Sequence, residues 1–467
     1  MRLIVTEAVM TVVVVVMVIV LTFVAMGYKL NQDGELSQNG LVQISSLPTG
    51  ASVMIDGDGI FPRTDTSRSL SAGHHTIELS RAGYDTWKKT IEIQPGWLYK
   101  LDYPRLFRGD REAEQMLSFE EGLEFFSISP TRNGILYADE NSTTFTWLRL
   151  RGDEMEKKEL EVADLFRLEK SDRLPGVIRE IIWNDDGDRV LIDYVNGDTR
   201  DKVVLNLAKV EDSINLTREF GLDFSKVRPA SSTAERLVAL ENGNLRIISI
   251  GSKEMSRVLL GNVADFANLD AEVLFVTNPT AETNVKTVGY YMEGDKTPIL
   301  LETVGGDGVK LAVSKYLDKR YLTIAVGPEV SVYKAENIRE MKSIDDFTLV
   351  KQVAWTVAPE KVEVHNRGRL ITATNGRKVL VFDAEQANVA DLEFESDPTG
   401  WLDGFMLTNV LNGRLVVRDF DGENRRDITN AKAGFSAVVT SNEKYLYYMV
   451  ECGTNVAEKS CLMREKL

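Results

Sequence analysis

Hydrophobic and polar positions fall into three regimes along the chain. Residues 8–26 carry no charge and do not alternate; valine fills 12–16, and 18–21 and 23–24 are all apolar. At about 1.5 Å per residue, a helix of that length spans roughly 28 Å, close to the hydrocarbon thickness of a bilayer. Valine is a poor helix former in water. In lipid an unpaired backbone group costs several kcal/mol, so the run predicts a transmembrane helix closing its own hydrogen bonds, with residues 1–29 as a signal anchor. Residues 30–40 are a polar spacer. From Leu41 the pattern changes to period two. Val42 and Ile44, Val53 and Ile55, Ile77 and Leu79, and Ile91 and Ile93 take one face, with Gln43, Ser52, Thr76, Glu78, Thr90 and Glu92 on the other. Such alternation predicts half-buried antiparallel strands, here punctuated by Pro48-Thr49-Gly50, Asp56-Gly57-Asp58-Gly59, Ala72-Gly73 and Ala82-Gly83. A small β domain over 41–104 follows. Residues 105–122 are charged and read as a linker with at most a turn of helix.

The third regime, 123–467, repeats one theme: an apolar strand, a turn bearing Gly or Asn, a second strand, a turn and a third strand. Phe125–Ile128 with Asn133-Gly134 and Ile135–Tyr137 is one instance; Ile181–Trp183, Asp186-Gly187, Arg189–Tyr194 and Lys202–Leu205 form another. The theme recurs at roughly 35–55 residues, a period expected of repeat architectures built from small sheets. Each unit alone exposes an apolar face, and stacking units around an axis buries those faces. The pattern predicts a mostly β protein ending in a seven- or eight-bladed β-propeller, with a β-sandwich pair or β-rich array as the competing arrangement.

Two stretches carry family resemblances. Leu47-Pro48-Thr49-Gly50-Ala51 through Asp56-Gly57, then Ser71-Ala72-Gly73, then Ala82-Gly83-Tyr84, resemble a PEGA domain. The candidate motif residues are Pro48, Gly50, Ala51, Asp56, Gly57, Gly73, Gly83 and Tyr84. The usual Gly-x-Thr-Pro turn is replaced by Gly59-Ile60-Phe61-Pro62-Arg63-Thr64. The resemblance implies a small β-sandwich in an envelope protein, an accessory module without catalytic residues. The segments 129–134, 183–187 and 419–429 are similar to the WD40-like repeats of TolB-type propellers, which implies a protein-binding or scaffold role more often than catalysis.

Composition narrows the partners. A net charge of −16 opposes sequence-independent nucleic-acid binding and lying flat on anionic lipid. Arg2 before the apolar run and Lys29 after it nearly balance, so the amino terminus tilts the anchor toward N-in and C-out. A cleaved signal peptide is the alternative, but the core is long and Val24-Ala25-Met26 is a poor cleavage site. The two cysteines, Cys452 and Cys461, read as one local disulfide in an oxidising compartment, or as two unrelated buried thiols.

Chemistry is sparse. His74 and His75 are adjacent on a strand and point to opposite faces; His365 is isolated. No nucleophile elbow, zinc-ligand pair or phosphate-cradling loop is present. Asp56–Gly59 and Asp185–Asp188 lack the ligand spacing of a calcium loop. The Arg-Gly-Asp tripeptides at 108–110 and 151–153 read as ordinary turns, and Asn141 and Asn215 fit the glycosylation pattern. No catalytic, metal or cofactor residue is expected. The expectation is a non-catalytic, single-pass protein of the cell membrane, held to the bilayer by its N-terminal helix. Its body is extracytoplasmic, and its propeller binds a protein or envelope glycan. The alternative is a propeller hydrolase or lyase acting on cell-surface polysaccharide.

Overall fold

The structure, a computed structural model of the chain, describes residues 2–25, 28–30, 36–120, 122–140, 142–166, 176–279, 285–306, 308–452 and 460–467. The chain divides into two compact units, 1–112 and 113–466.

The first unit begins with the predicted helix, α1 (Arg2–Ala25), 24 residues long. Among the described residues no helix is long and apolar enough to cross a membrane. The helix is present, and the expected crossing is not shown. The expected polar spacer at 30–40 takes part in a pair of short strands. β1 (Tyr28–Leu30) pairs antiparallel with β2 (Leu36–Gln38), Tyr28 opposite Gln38.

Seven strands then form two sheets. β3 (Gly40–Ile44) lies between β6 (Thr66–Leu70) and β9 (Leu98–Leu101), antiparallel to the first and parallel to the second. The other sheet runs β5 (Asp58–Ile60), β4 (Ser52–Ile55), β7 (Gly73–Ser80), β8 (Trp87–Ile93). The period-two alternation holds: Val42, Ile44, Val53, Ile55, Ile77, Leu79, Ile91 and Ile93 are all buried, joined by Trp87 and Leu101. Asp56 and Gly57 make the two-residue turn between β4 and β5, both with positive φ, the conformation a tight hairpin demands.

The second unit is eight four-stranded sheets. Seven are contiguous in sequence: blades 1 (123–161), 2 (177–215), 3 (226–255), 4 (263–305), 5 (310–354), 6 (361–393) and 7 (398–430). In each, four consecutive strands pair in chain order, so the first and the fourth are the edges of the sheet. The eighth combines Val438–Val439, Tyr445–Glu451 and Ser460–Lys466 with an outer strand from the other end, β10 (Ala113–Phe119). Ala113 lies opposite Glu465 and Phe119 opposite Ser460, so the two ends of the unit close the ring in one sheet. The described residues thus fix the blade count at eight. Neighbouring blades share apolar cores: Leu136, Phe145 and Trp147 of blade 1 pack with Ile192, Tyr194 and Leu205 of blade 2, and Phe119, Tyr137, Leu148 and Tyr447 join blade 8 to blade 1.

The linker expected at 105–122 is corrected by the same observation. Residues 105–109 belong to the small domain: the Leu106 amide donates to the Leu47 carbonyl, the Asp85 amide to Phe107 and the Gly109 amide to Gly83. Residues 113–119 are a strand, not a helical turn. The charged side chains of Glu112, Glu114 and Glu120 concealed it, because an outermost strand keeps one face in water.

Cys452 and Cys461 are disulfide-bonded, with Cα atoms 5.7 Å apart. Cys461 sits on the strand between β10 and Tyr445–Glu451, paired with Ser118 on one side and Val450 on the other. The bridge therefore clips the hairpin to which the closing strand attaches. On the chain-entropy account so short a loop contributes about 2–3 kcal/mol. Replacing both cysteines by serine should lower the unfolding free energy of the large unit by that amount, read from urea denaturation, without changing its circular dichroism.

Candidate functional site

Strands of three consecutive blades line a cleft of about 270 Å³, bounded by Glu180, Arg200, Lys202, Ser225, Lys226, Arg228, Leu240, Ala264 and Asp265. Glu180 comes from the first strand of blade 2, Lys226 and Arg228 from that of blade 3, and Asp265 from that of blade 4. Cross-strand pairing builds the rest. Glu180 lies opposite Asp193, and Asp193 opposite Lys202, so three charged residues stand in a row across one face of blade 2.

The row is held by directed contacts. Asp193 accepts from Arg200 Nε and Nη2 at 2.9 and 2.5 Å, and its Oδ2 lies 2.7 Å from Lys202 Nζ. Arg228 Nη2 donates to Glu180 at 3.0 Å. Lys226 Nζ donates to Asp265 at 2.7 Å and to the Phe266 carbonyl at 2.6 Å. Burial alone would raise the Asp193 carboxyl, but the hydrogen bonds from Arg200 and Lys202 hold it below the usual carboxylate range. Burial pulls the Lys202 and Lys226 amines below the usual lysine range despite their carboxylate neighbours. The arrangement suits holding an anion: Arg200, Lys226 and Arg228 reach the opening, and the Lys202 ammonium lies behind.

Sequence reasoning missed these residues. The available signal was a charge inside an apolar strand, as Asp193 in Val190-Leu191-Ile192-Asp193-Tyr194, facing another such charge, Lys202 before Val203-Val204-Leu205. Only the register shows that they meet.

The singled-out PEGA-like residues are turn and packing positions. Ala51 is buried; its amide donates to Thr64 Oγ1, and the Gly50 amide to the Thr64 carbonyl, at 2.9 Å each. Phe61 projects outward, 84% exposed. Pro48 accepts from Ser46 Oγ at 2.7 Å. Gly73 begins β7, the Gly83 carbonyl accepts from Gly109, and Tyr84 lies beneath the Arg81 guanidinium at 5.3 Å.

One constellation in this domain has the composition of a hydrolytic triad. His75 Nδ1 is 2.6 Å from Asp56 Oδ2, and His75 Nε2 is 3.3 Å from Ser71 Oγ. Yet Nε2 is closer to the Ser71 carbonyl oxygen, at 2.9 Å. A carbonyl only accepts, so Nε2 donates to it and is not free to take the hydroxyl proton. The group ties the β7 end to the β4–β5 turn, and the Thr76 amide bond to Asp56 with the His75 contact holds the Asp56 carboxyl low.

The remaining candidates also resolve into structure. His365 ends a strand of blade 6, stacks on Trp401 of blade 7 at 4.9 Å and bonds Thr372 Oγ1; burial pushes its imidazole down to about 4. Arg108 closes on Asp110 of its own tripeptide, and Asp153 accepts from Tyr445 Oη of blade 8. Asn215 is buried, capping the helix Leu216–Phe220 and bonding the Leu165 carbonyl, so it does not present its amide for glycosylation; Asn141 lies outside the described residues. Among the described residues no three His, Cys, Asp or Glu side chains gather as metal ligands.

Residues 39–105 match the PEGA domain family. No curated protein sequence matches the chain. Among solved structures, the chain is similar to the Myceliophteria thermophila Cps50 (Swd1) β-propeller domain at 9% identity and TM-score 0.41, covering 75% of this chain and 99% of that one. It is similar to an oligogalacturonate lyase in complex with manganese at 8% identity and TM-score 0.39, covering 76% and 98%. A prolyl endopeptidase is similar at 12% identity and TM-score 0.46, covering 71% of this chain and 52% of that one.

Proposed function

We propose that this chain is a non-catalytic scaffold of the cell membrane, with the PEGA domain as stalk or wall-contact module. Its propeller takes a protein or glycan partner on the extracytoplasmic side. The observation that carries the binding role is the charged cleft on strands of blades 2 to 4, where successive repeats converge. Attachment to the bilayer rests on the uncharged run 8–26 and on Met10, Val12–Val16 and Val18–Leu21, each about half exposed or more on every side of α1. An all-round apolar helix needs an apolar surround, and lipid is one. Export is supported by the disulfide.

One observation favours the polysaccharide-lyase reading: an amine depressed by burial beside a guanidinium is the pairing that takes a proton next to a carboxylate. Against it, the ammonium groups of Lys202 and Lys226 each lie 2.7 Å from a carboxylate, which keeps the proton on nitrogen. The scaffold reading predicts that crosslinking in the native membrane, followed by pull-down, captures one dominant partner with the full chain and loses it with residues 1–112 alone. Equal capture by both, or turnover of a polysaccharide panel that Lys226→Gln abolishes, would contradict it.

A further inference from the structure

The cleft is cation-rich in a protein that is not. The chain has 71 acidic and 55 basic residues, yet the lining holds four cations against Glu180 and Asp265. Behind the lining, Arg200 and Lys202 converge on the single carboxylate of Asp193, leaving one positive charge in excess. Three of the four cations are accessible: Arg200, Arg228 and Lys226 are 36%, 27% and 24% exposed at the side chain, and Lys202 only 4%. Guanidinium forks at an opening match carboxylates bidentately. Resting on the reading of the propeller as a binding scaffold, we infer that this cleft receives the side-chain carboxylates of an acidic segment of a protein partner.

Two observations select that ligand. No described lining side chain is aromatic, so a sugar ring would find no flat apolar face to stack on. The volume, about 270 Å³, is at the small end for ligand clefts and suits one or two side chains rather than a chain of sugar rings. Repulsion from the remaining negative charge is screened beyond roughly 8–10 Å at physiological salt, so a short acidic segment is governed by the local cations.

The test titrates the detergent-solubilised full chain with a fluorescent decaglutamate peptide, with decaglutamine and an oligo-uronate as comparisons. Saturable binding of decaglutamate is expected, at least tenfold weaker for decaglutamine and at least tenfold weaker at 0.5 M salt. Arg228→Gln should weaken it about tenfold or more. Glu180→Gln, which releases Arg228 from its carboxylate, should strengthen it severalfold, and this opposite change cannot come from unfolding. Absence of saturable binding, binding unchanged in both variants, or tighter binding of the oligo-uronate would each overturn the inference. If Arg228→Gln still captures the crosslinked partner from the membrane, the scaffold stands and the cleft assignment falls. If neither wild type nor variant captures one, the scaffold reading itself fails.

Discussion

A chain that begins at residue 120 should lose the cooperative unfolding of the large unit, whereas one that begins at residue 112 should keep it. The difference is β10. Its pairing with Ser460–Lys466 runs from Ala113–Glu465 to Phe119–Ser460 and supplies the eighth blade with its outer strand. Without it that strand becomes an edge with unpaired backbone groups, and the ring loses the covalent link between its first and last blades. Phe119 adds an apolar lock: it is 4% exposed and meets the Tyr137 ring of blade 1 edge-on at 5.1 Å. The milder variant Phe119→Ala should cost about 3–5 kcal/mol in urea denaturation. Similar midpoints for the two truncations would mean that closure by β10 does not hold the ring.

The second large effect is expected at the pair Arg369–Asp383 in blade 6. Both side chains are almost wholly buried, at 2% and 1% exposure, and they join through Nε–Oδ1 at 2.9 Å and Nη2–Oδ2 at 3.1 Å. The pair links three blades. Asp383 Oδ1 also accepts from the Glu385 amide, Glu385 accepts from Tyr316 Oη of blade 5, and the Arg369 guanidinium lies 5.2 Å from the Phe405 ring at blade 7. Asp383→Leu strands a buried guanidinium and should cost about 3–5 kcal/mol, while adding Arg369→Met should recover most of the loss. By contrast the exposed pair Lys361–Glu363, 58% and 37% exposed, should be worth less than about 1 kcal/mol. Thermal melts of the three variants decide it; a double variant no better than the single would show that the site needs the polar pair itself.

What the sequence made legible follows from which surfaces water touches. In the small domain one face of each strand is wet, so Val53 and Ile55 alternate with Ser52 and Met54 and the strands stand out. In the blades the middle strands are covered on both faces. Arg189–Asn196 therefore reads as the run Val190-Leu191-Ile192, and Tyr445–Glu451 likewise, which made the repeat countable to within one blade. The outermost strands are wet and charged, as in Glu154–Glu161 and β10, so they resembled loops or linkers, and the contribution of β10 to the eighth blade was hidden. The turn segments 129–134 and 183–187 were visible because each joins a first strand to a second: Asn184 accepts from the Asp188 and Arg189 amides, a turn chemistry written in the sequence. The cleft was not legible, because Glu180, Lys202, Arg228 and Asp265 are separated by strand register and by blade boundaries, which no local pattern records.

The claim that the chain is a membrane-held scaffold with an exported body is tested most directly by protease treatment of intact, wall-stripped cells. The account predicts that the body is digested from outside, leaving a short membrane-bound stub that contains α1, while a cytoplasmic marker survives. A body protected until the cells are lysed, or a full-length chain released from membranes by carbonate, would contradict it.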